Sequence, residues 1–188
     1  ASVVPQYQPK DGPPNRFIPG IPVAPNPKGP RGSIQVCCCG IMWGTAAHCW
    51  VRKSVDESAT GIPEYEEIHG WPTKDFDFFN PGWGPIRIKS FGPCIDGEGE
   101  CETVLEDDLE YIKRVWECMQ RMSQKISKCK IDYDPLTWNP FENGNSNSVA
   151  YTLLAECGYL RQQRPGGFRL FGAPGWGIDL RRYMHLMN

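Results

Sequence analysis

Between positions 103 and 129 the apolar residues Leu105, Leu109, Ile112, Trp116 and Met119 recur at three- and four-residue steps, and Ile126 follows two turns later. That spacing gathers them on one stripe of a helix, and a stripe of this length must be covered by other parts of the chain. Thr103 and Glu106 stand three apart, as in a capping box. Glu106, Asp107 and Asp108 suit the positive end of a helix dipole, and Lys125, Lys128 and Lys130 suit the negative end. The pattern predicts one long helix over 103–129, and Asp134-Pro135 closes the region.

The cover for that stripe is read upstream, where the period changes from helical to alternating. Residues 33–39, 45–52, 64–69 and 85–91 each read as a strand, the first two as an antiparallel pair. On the second, alternation sends Ala46, His48 and Trp50 to one face and Ala47, Cys49 and Val51 to the other. The expected fold class is therefore α+β. An antiparallel sheet of about four strands packs on one long and one shorter helix, and both ends of the chain are irregular arms. Between the third and fourth strands lies an aromatic, Gly- and Pro-rich loop carrying Trp71, Phe76, Phe78, Phe79 and Trp83. So many rings leave water, either by packing over the sheet or by walling a substrate site.

Half of the 18 prolines fall in residues 1–32. Proline lacks a backbone N–H and fixes φ, so this stretch is neither a helix nor an inner strand. It reads as an extended arm or linker, 1–32, ahead of a single domain, 33–188. Joining the domain to an upstream delivery module is one use for such an arm. A net charge of −2 gives no footprint for nucleic-acid binding. No apolar run approaches the ~20 residues that span a bilayer, so no transmembrane segment is expected.

Nine cysteines leave at least one unpaired within a monomer. Their spacing matches no zinc motif, and neither a metal nor another cofactor is expected. Cys94 and Cys101 flank a short Gly- and acid-rich loop and are expected to bridge it. The remaining cysteines are read as buried thiols.

The chemistry is sought at 139–154. Turn formers Asn143, Gly144 and Asn145 lead into Ser146, Asn147 and Ser148, all good helix starters. Val149, Ala150, Leu153 and Leu154 then repeat with a helical period, which predicts a second helix near 147–157. Ser146 therefore sits at or near a helix N-terminus, where it is either a cap or a nucleophile favoured by the dipole. Three histidines are present, His48, His69 and His185. His48 lies among small residues on a strand, which leaves room beside its ring. Cys49 points away from His48. Cys157 lies near a helix C-terminus, where the dipole raises a thiol pKa. Neither is a good nucleophile.

A histidine on a strand (Ala46-Ala47-His48-Cys49-Trp50-Val51), followed by strands, a helix and the turn Asn145-Ser146-Asn147-Ser148-Val149, resembles the circularly permuted NlpC/P60 and LRAT-like papain-fold proteins. The resemblance covers roughly 33–160. It implies a papain-like fold, His48 as base and Ser146 where the group carries its nucleophilic cysteine. His69 or Glu67 would orient the base. Trp50, Trp71 and Trp83, with Asn145, Asn147 and Ser148, would line the substrate site. The backbone N–H groups near Asn147 and Ser148 would form an oxyanion hole. The combination of Asn145-Ser146-Asn147-Ser148, Leu153-Leu154 and Gly158 with the later Ala173-Pro174-Gly175-Trp176-Gly177 also resembles C-terminal toxin domains of bacterial polymorphic-toxin and secretion-system effectors. That implies a secreted or delivered hydrolase of amide or ester acyl groups, accompanied by a cognate immunity protein. Peptidoglycan peptides, host protein side chains and lipid esters are the substrate classes. The rival reading is a non-catalytic binding module that grips a protein or lipid partner through the aromatic loop.

Overall fold

The computed structural model describes residues 30–41, 46–55, 64–74, 82–92, 94, 100–135, 143–158 and 173–184. Most of the proline-rich arm, the rings of Phe76, Phe78 and Phe79, and His185 lie outside the described residues.

Five antiparallel strands form one sheet: β1 (Arg31–Ile41), β2 (Ala46–Val55), β3 (Glu64–Pro72), β4 (Ile86–Lys89) and β5 (Glu100–Asp108), in the order β4-β3-β2-β1-β5. The long helix α1 (Leu109–Lys128) and the shorter α2 (Ser146–Glu156) cover one face. Two-residue strands β6 (Asp132–Tyr133) and β7 (Asn143–Gly144) pair in parallel just ahead of α2, and a four-residue helix α3 (Arg181–Met184) follows. The chain is thus α+β, with an antiparallel sheet on one long and one shorter helix.

The core lies between the sheet and the helices. Ile34, Val36, Val51 and Ile68 from the sheet meet Ile112, Val115, Met119 and Ile126 of α1 and Val149, Leu153 and Leu154 of α2. Trp116 is buried in the expected stripe, and its ring N–H donates to Glu66 Oε2 at 2.7 Å.

The start of the long helix is corrected. Residues 103–108 are strand, not helix, and Asp108 is the cap, accepting from the Tyr111 N–H at 2.9 Å. Leu105 reaches the core from β5 rather than from α1. The cause is long-range. β1 offers its open edge over Arg31–Cys38, and β5 pairs with it through a bulge at Ile34/Gln35. A strand-length ladder outweighs the few tenths of a kcal/mol per residue by which local helix propensity differs.

The cysteine expectation is also corrected. Cys37, Cys38 and Cys39 sit on one strand, so the two-residue period turns Cys37 and Cys39 to the outer face and Cys38 to the core. Cys37 is directly opposite Cys101 and Cys38 directly opposite Cys49, and both pairs are disulfides. Cys39 bonds Cys94, and Cys118 on α1 bonds Cys157 at the end of α2. Cys94 and Cys101 are therefore each joined to β1 instead of to each other. Cys129 alone is a free thiol. Non-reducing peptide mapping should recover these four linkages and alkylate Cys129 only. A Cys94–Cys101 peptide from native material would overturn the register of β5 on β1.

Candidate functional site

β3 pairs with β2 only from Val51↔Ile68 to Val55↔Glu64. Continued by two residues, the same register would set Gly70 opposite Cys49. Instead β3 leaves β2 there and runs on to pair with β4. The vacated ladder position is filled by a side chain. Asn147 Oδ1 accepts from the Cys49 N–H at 2.8 Å, and Asn147 Nδ2 donates to the Ala47 carbonyl at 3.0 Å and to the Pro174 carbonyl at 2.8 Å. One amide thus satisfies the strand on both sides of His48, at the cost of bringing the first turn of α2 to the sheet edge. Gly70 permits the approach, since a Cβ there would lie 2.6 Å from Val149 Cγ2 and 3.1 Å from the Ser146 Cα.

That first turn is capped by Asn145. Its Oδ1 accepts from the N–H groups of Asn147 at 2.9 Å and Ser148 at 3.2 Å, and Ser148 Oγ accepts from the Asn145 N–H at 3.1 Å. Ser146 is consequently the first helical residue rather than the cap. The two N–H groups expected to form an oxyanion hole are the ones engaged by Asn145. The Ser146 hydroxyl lies 3.4 Å from Asn147 Oδ1 and also bonds Tyr133. These, rather than the His48 ring, are its partners among the described residues.

The outer face of the sheet carries the other functional side chains. His48 and Trp50 on β2 share it with Glu67, His69 and Trp71 on β3. His48 Nε2 is 3.0 Å from His69 Nδ1, and His69 Nε2 is 3.0 Å from Glu67 Oε2. Trp50 Nε1 and Arg52 Nε both donate to Glu67 Oε1 at 2.8 Å. The rings stack, with Trp50 on His69 at 5.0 Å and Trp71 edge-on to His48 at 5.5 Å. His48 and His69 are each 1% exposed. Three of the expected catalytic residues, His48, His69 and Glu67, therefore form one relay, and Trp50 and Trp71 belong to its walls. Trp83 stands apart, 6.2 Å from Tyr133, in a cleft of about 490 Å³ that also includes Lys74, Asp132, Asp134 and Asn143.

The relay has a direction. Burial alone would raise the Glu67 carboxyl, but hydrogen bonds from His69, Arg52 and Trp50 bring it down to about 2. An ionised carboxylate only accepts, so His69 Nε2 must donate to it. In the tautomer with that N–H on Nε2, His69 presents a lone pair at Nδ1, which takes the N–H of His48 Nε2. This assignment follows from the hydrogen-bond chain. It leaves the His48 lone pair on Nδ1, the tautomer that a base needs. Burial, helped by His69 and opposed by Glu67, pushes His48 down to about 3, so the ring is neutral at ordinary pH.

Tyr133, Gly92 and the β2-clamping role of Asn147 are the residues that the sequence did not reveal. Burial, aided by Asp134, raises the Tyr133 phenol to about 12 against the pull of its hydrogen bonds with Ser146. Gly92 lies against the imidazole bridge. A Cβ there would collide with His69 Nδ1 and stand 3.1 Å from His48 Nε2. Among the described residues no group of three His, Cys, Asp or Glu side chains converges as a metal set, and no helix is long and apolar enough to cross a membrane.

Two measurements test this geometry. The folded state binds fewer protons at His48 than an unfolded imidazole, so that contribution to stability is complete above about pH 6.5 and is lost as pH falls toward about 3. Glu67 acts in the same sense, from about 4.5 down toward about 2. Urea unfolding between pH 7 and 4.5 should lose up to about 1.4 kcal/mol per pH unit for the one proton. His48→Gln should flatten that limb and spare the loss below it. A flat parental limb would mean that His48 is not buried and neutral. Separately, Asn147→Ala leaves the buried Cys49 N–H and Ala47 carbonyl unpaired, at about 1–3 kcal/mol each. Asn147→Asp should be no better, because a carboxylate oxygen would face the Ala47 carbonyl. Chemical denaturation that finds Asn147→Asp equal to the parent would remove the clamp.

Comparison of the chain with protein-family models, with curated proteins and with solved structures returns no match, so the reading of this site rests on its own geometry.

Proposed function

We propose that the chain is an exported papain-like effector domain of the permuted NlpC/P60 or LRAT-like kind, hydrolysing or transferring an amide or ester acyl group. The observation that carries this reading is the one-way relay Glu67–His69–His48, which ends in a basic lone pair on a strand clamped to the first turn of α2. In the reaction, Ser146 Oγ attacks the acyl carbon and passes its proton to His48 Nδ1. The same proton then goes to the leaving amine or alcohol, and water later releases the acyl group from Ser146. His69 holds the His48 ring in the reactive tautomer, and Glu67 holds His69. Tyr133 keeps its proton at neutral pH and stands beside Ser146, where its O–H can answer charge on the acyl oxygen. Four disulfides suit an oxidising compartment before delivery.

A fluorophosphonate probe, applied with and without dithiothreitol, should label Ser146 in the parent under at least one condition. Labelling should vanish in Ser146→Ala and in His48→Gln. The double variant should be no worse than either single one, because the pair acts as a unit. If Ser146 stays unlabelled in both redox states, the hydrolase reading is lost.

One observation favours a second reading. Ser146 is 3% exposed, and its hydroxyl is engaged by Asn147 and Tyr133. On that reading the domain binds a partner through surface aromatics such as Phe91, which is 64% exposed, and Ser146→Ala would leave its function unchanged.

A further inference from the structure

The relay is closed from outside. Both imidazoles are almost fully buried, although they lie on the sheet face opposite α1 and α2. What covers their bridge is backbone: Gly92 rests on His69 Nδ1 and His48 Nε2 so closely that no side chain fits between them. Described residues on either side of Gly92 are held in place. Upstream, Lys89 holds its ammonium 5.1 Å from the ring of Trp71 and 5.1 Å from that of Phe91. Downstream, Cys94 is bonded to Cys39, and Cys39 faces His48 directly across the β1–β2 ladder. A disulfide therefore anchors the cover to the strand beside the base that it hides.

We infer that Gly92 is a lid over the His48–His69 bridge and that the Cys39–Cys94 disulfide is its latch, opened by a thiol reductant. This rests on the reading of an exported acyl-transfer domain, for which the latch would be shut in an oxidising compartment and open in a reducing one. The exchange balances with two equivalents of a small thiol such as glutathione. The first thiolate attacks Cys94, the half-buried partner, forms a mixed disulfide there and expels Cys39 as a thiolate, which takes up a proton. The second thiol resolves the mixed disulfide, frees Cys94 and leaves the reductant as its own disulfide. Cys37–Cys101, on the same face, joins residues that are already paired across β1 and β5, so its loss leaves Gly92 where it is. Opening also rehydrates His48. Burial is the main cause of its weak proton affinity, so the closed form is held back in basicity as well as in access.

The test is modification of His48 and His69 by diethyl pyrocarbonate at neutral pH, with the sites read by peptide mass spectrometry. The Cys39→Ser/Cys94→Ser variant should react at least about tenfold faster at these two positions than the oxidised parent, as expected for local opening without global unfolding. The Cys37→Ser/Cys101→Ser variant should react at the parental rate. Gly92→Ala keeps every disulfide yet cannot sit on the bridge, and it too should accelerate the reaction, which covers the case in which the double serine variant fails to fold. A parental rate in folded Cys39→Ser/Cys94→Ser, or equal acceleration by the Cys37→Ser/Cys101→Ser control, would overturn the latch, and a parental rate in Gly92→Ala would overturn the lid. Accessible imidazoles with Ser146 still inert to fluorophosphonate would keep the lid and remove the hydrolase reading instead.

Discussion

The rest of the site depends on one amide. Strand β3 leaves β2 after Ile68, and without a substitute the backbone of Ala47 and Cys49 would be buried and unpaired. Asn147 supplies one acceptor and one donor at the spacing that a strand would have offered. A primary amide does both at once, whereas a carboxylate lacks the donor and a hydroxyl is too short to span the two groups. The gap that Asn147 fills is also what lets the first turn of α2 reach the sheet edge. Gly70 completes the fit by presenting no side chain to Val149.

The outer face follows a different logic. A buried imidazole is costly when charged, and beside this pair the structure keeps the Glu67 carboxylate surrounded by donors, the Arg52 guanidinium among them. Arg52 and Trp50 take one carboxylate oxygen while His69 takes the other. The order of protons along Glu67, His69 and His48 is then determined. Because Glu67 sits nearer the surface than either ring, charge remains at the wet end and neutrality at the dry end. Such an arrangement orients a base well and makes it a weak one for as long as it stays covered.

Much of this was legible in the sequence wherever the period was local. Alternation on β2 correctly put His48 and Trp50 on one face and Cys49 on the other. Glu67 and His69, two apart on a strand, were bound to share a face. The stripe from Ile112 to Ile126 did form the core side of α1, whereas Leu109 at its start is only half-buried. What failed was long-range. Thr103 to Glu106 carries a genuine capping pattern, but a neighbouring strand edge made 103–108 more valuable as sheet, and Asp108 offered an equally good cap five residues on. The cysteine triplet already held the information that Cys37 and Cys39 point opposite to Cys38. The partner of Cys37 could not be read because it depends on the register of β5, most of which reads locally as helix. Tyr133 and Gly92 carry no local signal at all, since each matters only through residues far away in the chain.

His48, with Ala47 and Cys49 on either side of it, joins the two halves of the site. Backbone groups of Ala47 and Cys49 bind Asn147 at the edge of β2, while the side chain of His48 between them leaves the sheet on its outer face and enters the relay. The serine-bearing turn and the base are therefore fixed to the same three residues and cannot shift independently. Cys38–Cys49 ties that segment to β1 on the core face, and Cys118–Cys157 ties the far end of α2 to α1. Rigidity is thus concentrated beneath the site. A change in access is sought at Gly92, on the outer face and outside the strand ladder. There one disulfide and a lysine between two rings stand in place of the ladder that holds β1 to β5.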